Sequence, residues 1–314
     1  MKKVFAIVVA LVLALSCVAA LAELKFVTGG TGGVYYAYGN ELALYVTNNS
    51  DVAVTAEQGN GSKKNIQLID LGDAQLGFSQ NDVAYYAYAG IRDEDFEDEA
   101  VTGLRALAAL YTEGVQLVTC NPEIKSVADL KGKVVSIGSA GSGVYFNAMD
   151  FLAAYGMAIH DIDPRYESFA DSKDSLTDGK IDAAFVVAGA PTTSVAELAA
   201  GKATYIVSLD AEHIAALKDI CDVYDEYVIP AGTYDGIDED VLTVGMKALI
   251  VTSDEVSDED AYAVVSTIFE GKDQITHDKA KDLDLAYAST CAIPYHNGAA
   301  KYFAEKGIEV VTAD

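Results

Sequence analysis

Apolar residues along this chain follow two spacings that alternate almost to its end. Short apolar runs rich in β-branched residues predict strands, and apolar residues three or four positions apart predict helices. The predicted strands are 24–28, 52–57, 74–79, 104–110, 115–119, 133–137, 183–187, 204–207 and 244–252. The predicted helices are 34–47, 62–71, 82–89, 126–130, 143–155, 172–178, 193–200, 211–218, 258–269, 273–278, 282–287 and 297–306. This alternation predicts an α/β fold with mostly parallel sheets.

Two glycine-rich segments share one pattern. Residues 28–36 read TGGTGGVYY, and residues 138–146 read GSAGSGVYF. Each segment follows a predicted strand and precedes a predicted helix, where N–H groups are unpaired and the helix dipole is positive. Glycine lets the backbone approach a ligand closely, and anions bind readily at such helix starts. We therefore expect the first loop (28–33) and the second loop (138–143) to hold one small polar or anionic ligand.

Both loops and the helices that follow them supply candidate ligand contacts. Those of the first are Gly30, Thr31, Gly32, Gly33 and Tyr35. Those of the second are Ser139, Gly141, Ser142, Gly143 and Tyr145. One glycine-rich turn alone would favour a purely structural role, whereas its repetition favours a ligand. The first loop is no dinucleotide fingerprint, because Tyr35 takes the place of the third glycine, and it lacks the lysine of a P-loop.

Three further turns supply the remaining candidates. Ser62 begins a helix, either as its N-cap alone or also as a hydroxyl for the ligand. Gln80 and Asp82 lie where a strand ends and a helix begins, the place where open α/β sheets present ligands. Asp82 either caps that helix or binds a ligand amine. Gly189 and Pro191 form a turn into another helix, which we expect to face the second loop.

The chain is expected to form two lobes. Apolar passages at 104–118 and 242–251 predict the two segments that cross between them. On this prediction residues 23–115 and 243–314 form one lobe, and residues 116–242 form the other. Two crossing segments act as a hinge, which permits closure around a ligand.

The balance of charge excludes some partners. The formal net charge is −27, and the three arginines are Arg92, Arg105 and Arg165. A nucleic-acid-binding protein needs a basic surface, and an anionic membrane repels an acidic one, so neither partner is expected. The acidic residues are expected to form a solvated surface, and their runs lack the spacing of an EF-hand.

The N-terminal segment has the parts of a secretory signal. Lys2 and Lys3 are followed by an apolar stretch and by small residues up to Ala22. We expect residues 1–22 to be a signal peptide, so that the mature protein is periplasmic or otherwise extracytoplasmic. An uncleaved anchor helix and a lipoprotein modified at Cys17 are the alternatives. Removal of the two lysines changes the formal charge from −27 to −29.

Cysteine and histidine give little support to catalysis or metal binding. The cysteines after the signal peptide are Cys120, Cys221 and Cys291, and they form no C-x-x-C motif. Buried thiols are favoured, and Cys120 with Cys221 is the one pairing to test. The histidines lack metal-ligand spacing, and there is no G-x-S-x-G elbow. We therefore expect no catalytic residue, no metal and no cofactor.

Taken together, these motifs resemble the TAXI family, the extracytoplasmic solute receptors of tripartite ATP-independent periplasmic (TRAP) transporters. The matching positions are 30–36, Gly61, Ser62, Asn65, Gln80, Asp82, 129–134, Gly138, 141–143, 179–183, Gly189, Pro191, His296, Gly298, Ala299 and Tyr302. Ala37 and Asn297 stand where the family often has proline. Val144 stands where threonine is common, so no hydroxyl contact is assigned there.

The resemblance implies a type II periplasmic-binding-protein fold, with two lobes and a hinge of two crossing segments. It implies a monomeric receptor that captures a small carboxylate or an amino acid, and glutamate-like or dicarboxylate compounds are the first ligands to expect. It also implies delivery of that solute to the membrane permease of a TRAP transporter. The alternatives are a receptor for an ABC transporter or a sensor system, a secreted hydrolase, and a plain surface protein.

Overall fold

The computed structural model describes residues 23–313, so the predicted signal peptide and Cys17 lie outside the described residues. The strands of this part are β1 (Glu23–Val27), β2 (Ala53–Glu57), β3 (Leu76–Gln80), β4 (Leu104–Thr119), β5 (Val134–Ser136), β6 (Asp163–Arg165), β7 (Ala183–Ala188), β8 (Tyr205–Ile206), β9 (Asp225–Ile229) and β10 (Val241–Ser253). The helices are α1 (Val34–Asn49), α2 (Ser62–Asp70), α3 (Asn81–Ala89), α4 (Glu94–Asp98), α5 (Val144–Ala154), α6 (Phe169–Asp178), α7 (Thr193–Gly201), α8 (Ala211–Ile220), α9 (Asp258–Glu270), α10 (Leu285–Ala288) and α11 (Asn297–Glu305). Short 3₁₀ turns occupy 127–130, 159–161, 272–274 and 278–282.

The strands join in one mixed sheet, ordered β2-β1-β3-β10-β4-β7-β5-β6, with β8 against β4 and β9 against β10. The first lobe contains β1–β3 and α1–α4, and the second lobe contains β5–β7 and α5–α7. Pairing within each lobe is parallel. The pairs made by β4 and β10 are antiparallel. The α/β two-lobed fold is confirmed, but the expectation of a mostly parallel sheet is wrong at its centre. The reason is that one of these strands leaves the first lobe and the other returns to it.

Strands β4 and β10 are the two segments that cross between the lobes. β10 pairs with β3 through residues 248–252 and with β9 through residues 241–245. β4 pairs with β10 over most of its length and with β7 through residues 114–119. The sequence predicts a break in β4 near Glu113, but the strand is continuous there because it stays paired with Met246 of β10. The residue limits of the lobes stay a prediction.

The centre of the sheet is buried. Every position of β3 and of β7 is buried, including Phe78 and Phe185. Strands covered on both faces have near-continuous apolar sequences, which is why the sequence pattern locates them well. This packing fixes the carboxyl ends of the strands, where the loops of interest begin.

Three short elements have no counterpart in the predicted pattern: β6, β9 and α4. β6 contains Pro164 and pairs only with β5, and β9 begins with two acidic residues and pairs only with β10. Proline and charge are typical of edge strands, which weakens their sequence signal. Helix α4 buries one side chain, Phe96, which is too little for a helical period. The helices predicted at 126–130 and 273–278 are 3₁₀ turns.

Cys120, Cys221 and Cys291 are free thiols, so the pairing of Cys120 with Cys221 is not formed. Cys221 is buried and accepts a hydrogen bond from the Tyr86 hydroxyl at 3.0 Å, and burial raises its pKa to about 11.

Within residues 23–313, every helix is too short or too polar to span a lipid bilayer.

Candidate functional site

A cleft between the two lobes contains about 530 Å³ of empty space, part of it open to solvent. It lies at the carboxyl ends of the parallel strands, the usual position of ligands in open α/β sheets. Its lining residues are Gly29, Gly30, Gly33, Val34, Tyr35, Asn60, Gly61, Ser62, Gln80, Glu113, Ser139, Ser142, Gly143, Val144, Ser168, Phe169, Val187 and Ala188. A concave space with apolar walls and a few polar groups is typical of a small-molecule site.

Four helices begin at this cleft, two from each lobe. The N-cap residue of each lines it: Gly33 of α1, Gly61 of α2, Gly143 of α5 and Ser168 of α6. At the three glycines no side chain bonds the first-turn N–H groups. The Lys64 N–H of α2 donates to the Gly141 carbonyl and the Phe146 N–H of α5 to the Gly143 carbonyl, and the other first-turn donors are left for a ligand. The positive ends of four helix dipoles therefore meet at one cavity, which favours a negatively charged group there.

Ser142 adds an unpaired hydroxyl to this wall. The residue is 8% exposed, and within residues 23–313 its Oγ has no hydrogen-bond partner. A buried hydroxyl without a partner costs free energy, which a ligand oxygen at that position would recover. Because Ser142 directly precedes the N-cap Gly143, hydroxyl and helix N-terminus belong to one loop.

Glu113 lies in the lining of the same cleft, on the crossing strand β4. Its carboxylate accepts a hydrogen bond from the Tyr35 hydroxyl at 2.7 Å. Burial raises the pKa of Glu113 to about 8, although the bond from Tyr35 partly opposes this. The Tyr35 ring is stacked on Phe78 with 4.5 Å between ring centroids, so the hydroxyl is held in place.

Gln80 connects the two lobes beside the second loop. Its Nε2 donates to Asn147 Oδ1 of α5 at 2.8 Å, and its backbone N–H donates to Ser62 Oγ at 3.0 Å. Gly143 passes so close that a Cβ there would lie 1.5 Å from Gln80 Oε1. Only glycine permits this approach.

The N-cap of α2 is Gly61 and not Ser62, so the predicted capping role of Ser62 is wrong.

The structure brings part of the predicted set into this cleft, from both loops and from two of the three further turns. These residues are Gly30, Gly33, Tyr35, Ser62, Gln80, Ser139, Ser142 and Gly143. Two segments that lie about a hundred residues apart in the sequence therefore line one cavity.

Gly32 and Gly141 do not line the cleft but join the lobes at its rim. The Ser194 N–H donates to the Gly32 carbonyl at 3.3 Å, and the Lys64 N–H donates to the Gly141 carbonyl at 2.8 Å. Each loop thus contacts the opposite lobe through its own backbone. Thr31, between two glycines of the first loop, is exposed to solvent.

Tyr145, Gly189 and Pro191 also lie outside the lining. Tyr145 is half-buried and packs edge-on against Phe146, with 5.6 Å between ring centroids. A Cβ at Gly189 would lie 2.6 Å from the Lys279 side chain, and Pro191 is exposed. The turn after β7 reaches the cleft through Val187 and Ala188, at the end of the strand, rather than through these two residues.

Asp82 is fully buried behind the cleft and does not line it. Its Oδ1 accepts from the Val83 N–H at 2.9 Å and its Oδ2 from Asn147 Nδ2 at 2.8 Å. Burial raises the pKa of Asp82 to about 7. Asp82 lies in the first turn of α3, two residues after the end of β3, and its carboxylate is bonded to Val83 and Asn147. The predicted contact of Asp82 with a ligand is therefore not supported.

Glu113, Ser168 and Phe169 line the cleft but were not identified from the sequence. The signal for Glu113 is a single acidic residue inside the long apolar strand β4, where the sequence pattern predicts a break between two strands. Ser168 is the N-cap of α6, and its hydroxyl accepts from the Asp171 N–H.

In the described part of the chain, no cluster of three or more histidines, cysteines or acidic residues could hold a metal ion.

Two α/β lobes, two crossing strands and a cleft at the strand ends define the type II periplasmic-binding-protein fold. The chain belongs to the NMT1-like family, whose model matches residues 26–307.

Solved structures of low sequence identity share this fold. The alkanesulfonate-binding protein SsuA of Xanthomonas axonopodis pv. citri, bound to MOPS, is 16% identical with a TM-score of 0.52, over 91% of this chain and 79% of that one. An ancestral arginine-binding protein is 14% identical with a TM-score of 0.51, over 83% and 98%. The GluR0 ligand-binding core of Nostoc punctiforme, in complex with L-glutamate, is 15% identical with a TM-score of 0.50, over 83% and 97%. These likenesses show that the chain shares its fold with the three proteins.

Proposed function

We propose that this chain is an extracytoplasmic solute receptor that closes on a small carboxylate-bearing solute and delivers it to a membrane permease of the TRAP type. One observation carries this proposal: the N-cap residues of α1, α2, α5 and α6 line a single cleft together with the unpaired Ser142 hydroxyl. Convergent N–H donors and a hydroxyl suit an oxyanion and need no lysine or arginine.

Binding is proposed to favour the closed arrangement of the lobes. The backbone bonds of Gly32 with Ser194 and of Gly141 with Lys64 join the lobes on either side of the cleft. A ligand that contacts both lobes at once stabilises the closed state relative to an open one, and the hinge is formed by β4 and β10. Because the mature chain carries a formal charge of −29 once Lys2 and Lys3 are removed from −27, attraction of an anion has to be local.

The partner is proposed on the sequence resemblance to TAXI receptors. A receptor for an ABC transporter is the second candidate. It is favoured by the shared fold of a putative L-cystine ABC transporter protein of Listeria monocytogenes, 14% identical with a TM-score of 0.50. The two differ in the permease, so co-purification of the tagged receptor with each candidate permease in detergent distinguishes them.

The first experiment is a thermal-shift screen of amino acids, 2-oxo acids, dicarboxylates and alkanesulfonates, followed by calorimetry. A ligand at a hundred times its Kd stabilises the native state by about 2.7 kcal/mol. Ser142→Asp places a carboxylate where the ligand's is proposed to bind, and we expect binding to weaken about 100-fold, because juxtaposed like charges cost several kcal/mol. Ser208→Asp, on an exposed residue outside the cleft, is the control.

Two results would count against the proposal. If no compound of the screen raises the melting temperature, the receptor role is wrong. If Ser142→Asp binds the best ligand as tightly as the wild type, the second loop does not hold its carboxylate.

A further inference from the structure

Glu113 is the one acidic residue of β4, a strand otherwise composed mostly of Leu, Ala and Val. It lies where β4 crosses between the lobes, paired with Met246 of the other crossing strand. The residue is 2% exposed and lines the cleft. A carboxylate in such a place costs free energy unless something pairs with it, and an apolar residue would fit the strand better.

Within residues 23–313, Glu113 forms no ion pair of its own. Within residues 23–313 its side chain makes one hydrogen bond, from the Tyr35 hydroxyl at 2.7 Å. The other ionisable groups near it are Tyr111, Tyr287, Asp82 and Lys279. Tyr111 and Lys279 lower the pKa of Glu113, and Asp82 raises it. Lys279 is committed elsewhere, because its ammonium lies 3.5 Å from Asp282 and donates to the Ala190 carbonyl at 3.0 Å.

The rest of the cleft has the opposite polarity. Helix N-termini and the Ser142 hydroxyl supply donors, and among the described lining residues there is no lysine or arginine. Val144 and Phe169 add apolar side chains to the lining. The lining therefore combines donors that attract negative charge with a buried acid that has no ion-pair partner within residues 23–313.

We infer that Glu113 is the acceptor for a primary ammonium group of the solute, so that the receptor selects amino acids against dicarboxylates, 2-oxo acids and sulfonates. This inference rests on the proposed function, since it assigns the second end of the same ligand. Tyr35 holds the carboxylate in position, and the helix N-termini hold the ligand's own carboxylate. Lys279, the cation that acts on Glu113 within residues 23–313, is paired with Asp282.

Binding of an ammonium should also release a proton. Burial raises the pKa of Glu113 to about 8, so the empty site holds a mostly neutral carboxyl group at pH 7. An ammonium beside it favours the ionised form and lowers that pKa. A neutral carboxyl group could otherwise donate a hydrogen bond to a second ligand carboxylate, and the proton balance distinguishes the two cases, since that bond releases no proton.

The test compares amino acids with their 2-oxo counterparts of the same carbon skeleton: L-glutamate with 2-oxoglutarate, L-alanine with pyruvate, and L-leucine with 4-methyl-2-oxopentanoate. In calorimetry we expect the wild type to bind the preferred amino acid about 100-fold more tightly than its 2-oxo acid. Glu113→Gln should lose about 100-fold in affinity for the amino acid and about threefold or less for the 2-oxo acid. The exposed Glu123→Gln changes the charge equally and should behave as the wild type.

Calorimetry at pH 7 in phosphate and in Tris, which differ in ionisation enthalpy, measures the released proton on the wild type without any variant. Release of close to one proton per bound ligand supports the assignment, and a measurement that shows no proton release overturns it. A 2-oxo acid or dicarboxylate that binds as tightly as the amino acid also overturns it, while leaving the receptor role intact. Absence of binding by every compound overturns the proposed function itself.

Discussion

The buried acid Glu113 and the buried pair of Asp82 and Asp150 are held in different ways. Asp82 and Asp150 belong to a network whose members satisfy one another. Glu113 has one partner and faces the cavity. Protein interiors pair their polar groups, so a buried acid that stays nearly unpaired points to a partner from outside the chain.

The satisfied network joins the lobes behind the cleft. Asn147 donates to Asp82 and to the Tyr224 hydroxyl, both at 2.8 Å, and Tyr224 donates to Asp150 at 2.9 Å. Arg92 of the first lobe forms an ion pair with Asp150 of α5. Burial raises the pKa of Asp150, and the Arg92 charge opposes that change. The network therefore acts on lobe closure and stability, whereas Glu113 acts on the ligand.

The largest expected effect comes from breaking the network. Asp150→Ala should lower the free energy of unfolding by about 3 kcal/mol, because it leaves Arg92 and the Tyr224 hydroxyl without their acceptor. Urea unfolding measures the change. Asp174→Ala removes an exposed carboxylate beside Lys173 and should change stability by less than about 0.5 kcal/mol. Equal stability of Asp150→Ala and the wild type would show that the network is not structural.

A smaller effect is expected at the point where cleft and network meet. Gly143→Ala introduces a methyl group into the space of the Gln80 side chain, which must move away from the second loop. We expect about tenfold weaker solute binding, the cost of misplacing one hydrogen-bonding group in a site. Gly201→Ala, with open space around its Cβ, is the matched control. Unchanged affinity in Gly143→Ala would mean that Gln80 does not shape the site.

The pH dependence of stability isolates the contribution of Glu113 when the variant is compared with the wild type. Its pKa is raised from 4.5 to about 8 in the folded protein, so unfolding releases a proton between these values and the wild type loses stability as pH rises through that window. Glu113→Gln lacks this loss. In urea unfolding of the ligand-free proteins, the stability of Glu113→Gln relative to the wild type should rise with pH by at most about 1.4 kcal/mol per unit and level off above pH 8.

The exposed Glu123→Gln should show no such rise. A flat difference between Glu113→Gln and the wild type from pH 4.5 to 8 would mean that Glu113 titrates normally and is solvated. That result would remove the contrast between the two acidic regions, because neither would then hold an uncompensated buried acid.

The loops and most elements followed from the sequence because their signals are local. Glycines before a helix, and the different spacings of apolar residues in strands and helices, can be recognised within a few residues of sequence. Both glycine-rich loops do lie at one cleft. Asp82 misled the prediction because its place at a strand end says nothing about the direction of its side chain. β6 and β9 were missed because edge strands carry proline and charge.

The sequence by itself determined the two-lobed α/β architecture, the pair of glycine loops and the family resemblance, since all three are written in short-range patterns. Only the tertiary structure decided that Glu113 enters the cleft while Asp82 turns away from it. The reason is that the partners of a buried acid come from distant parts of the chain: Tyr35 lies 78 positions from Glu113, and Asn147 lies 65 positions from Asp82. Such pairings exist only once the crossing strands have brought the lobes together.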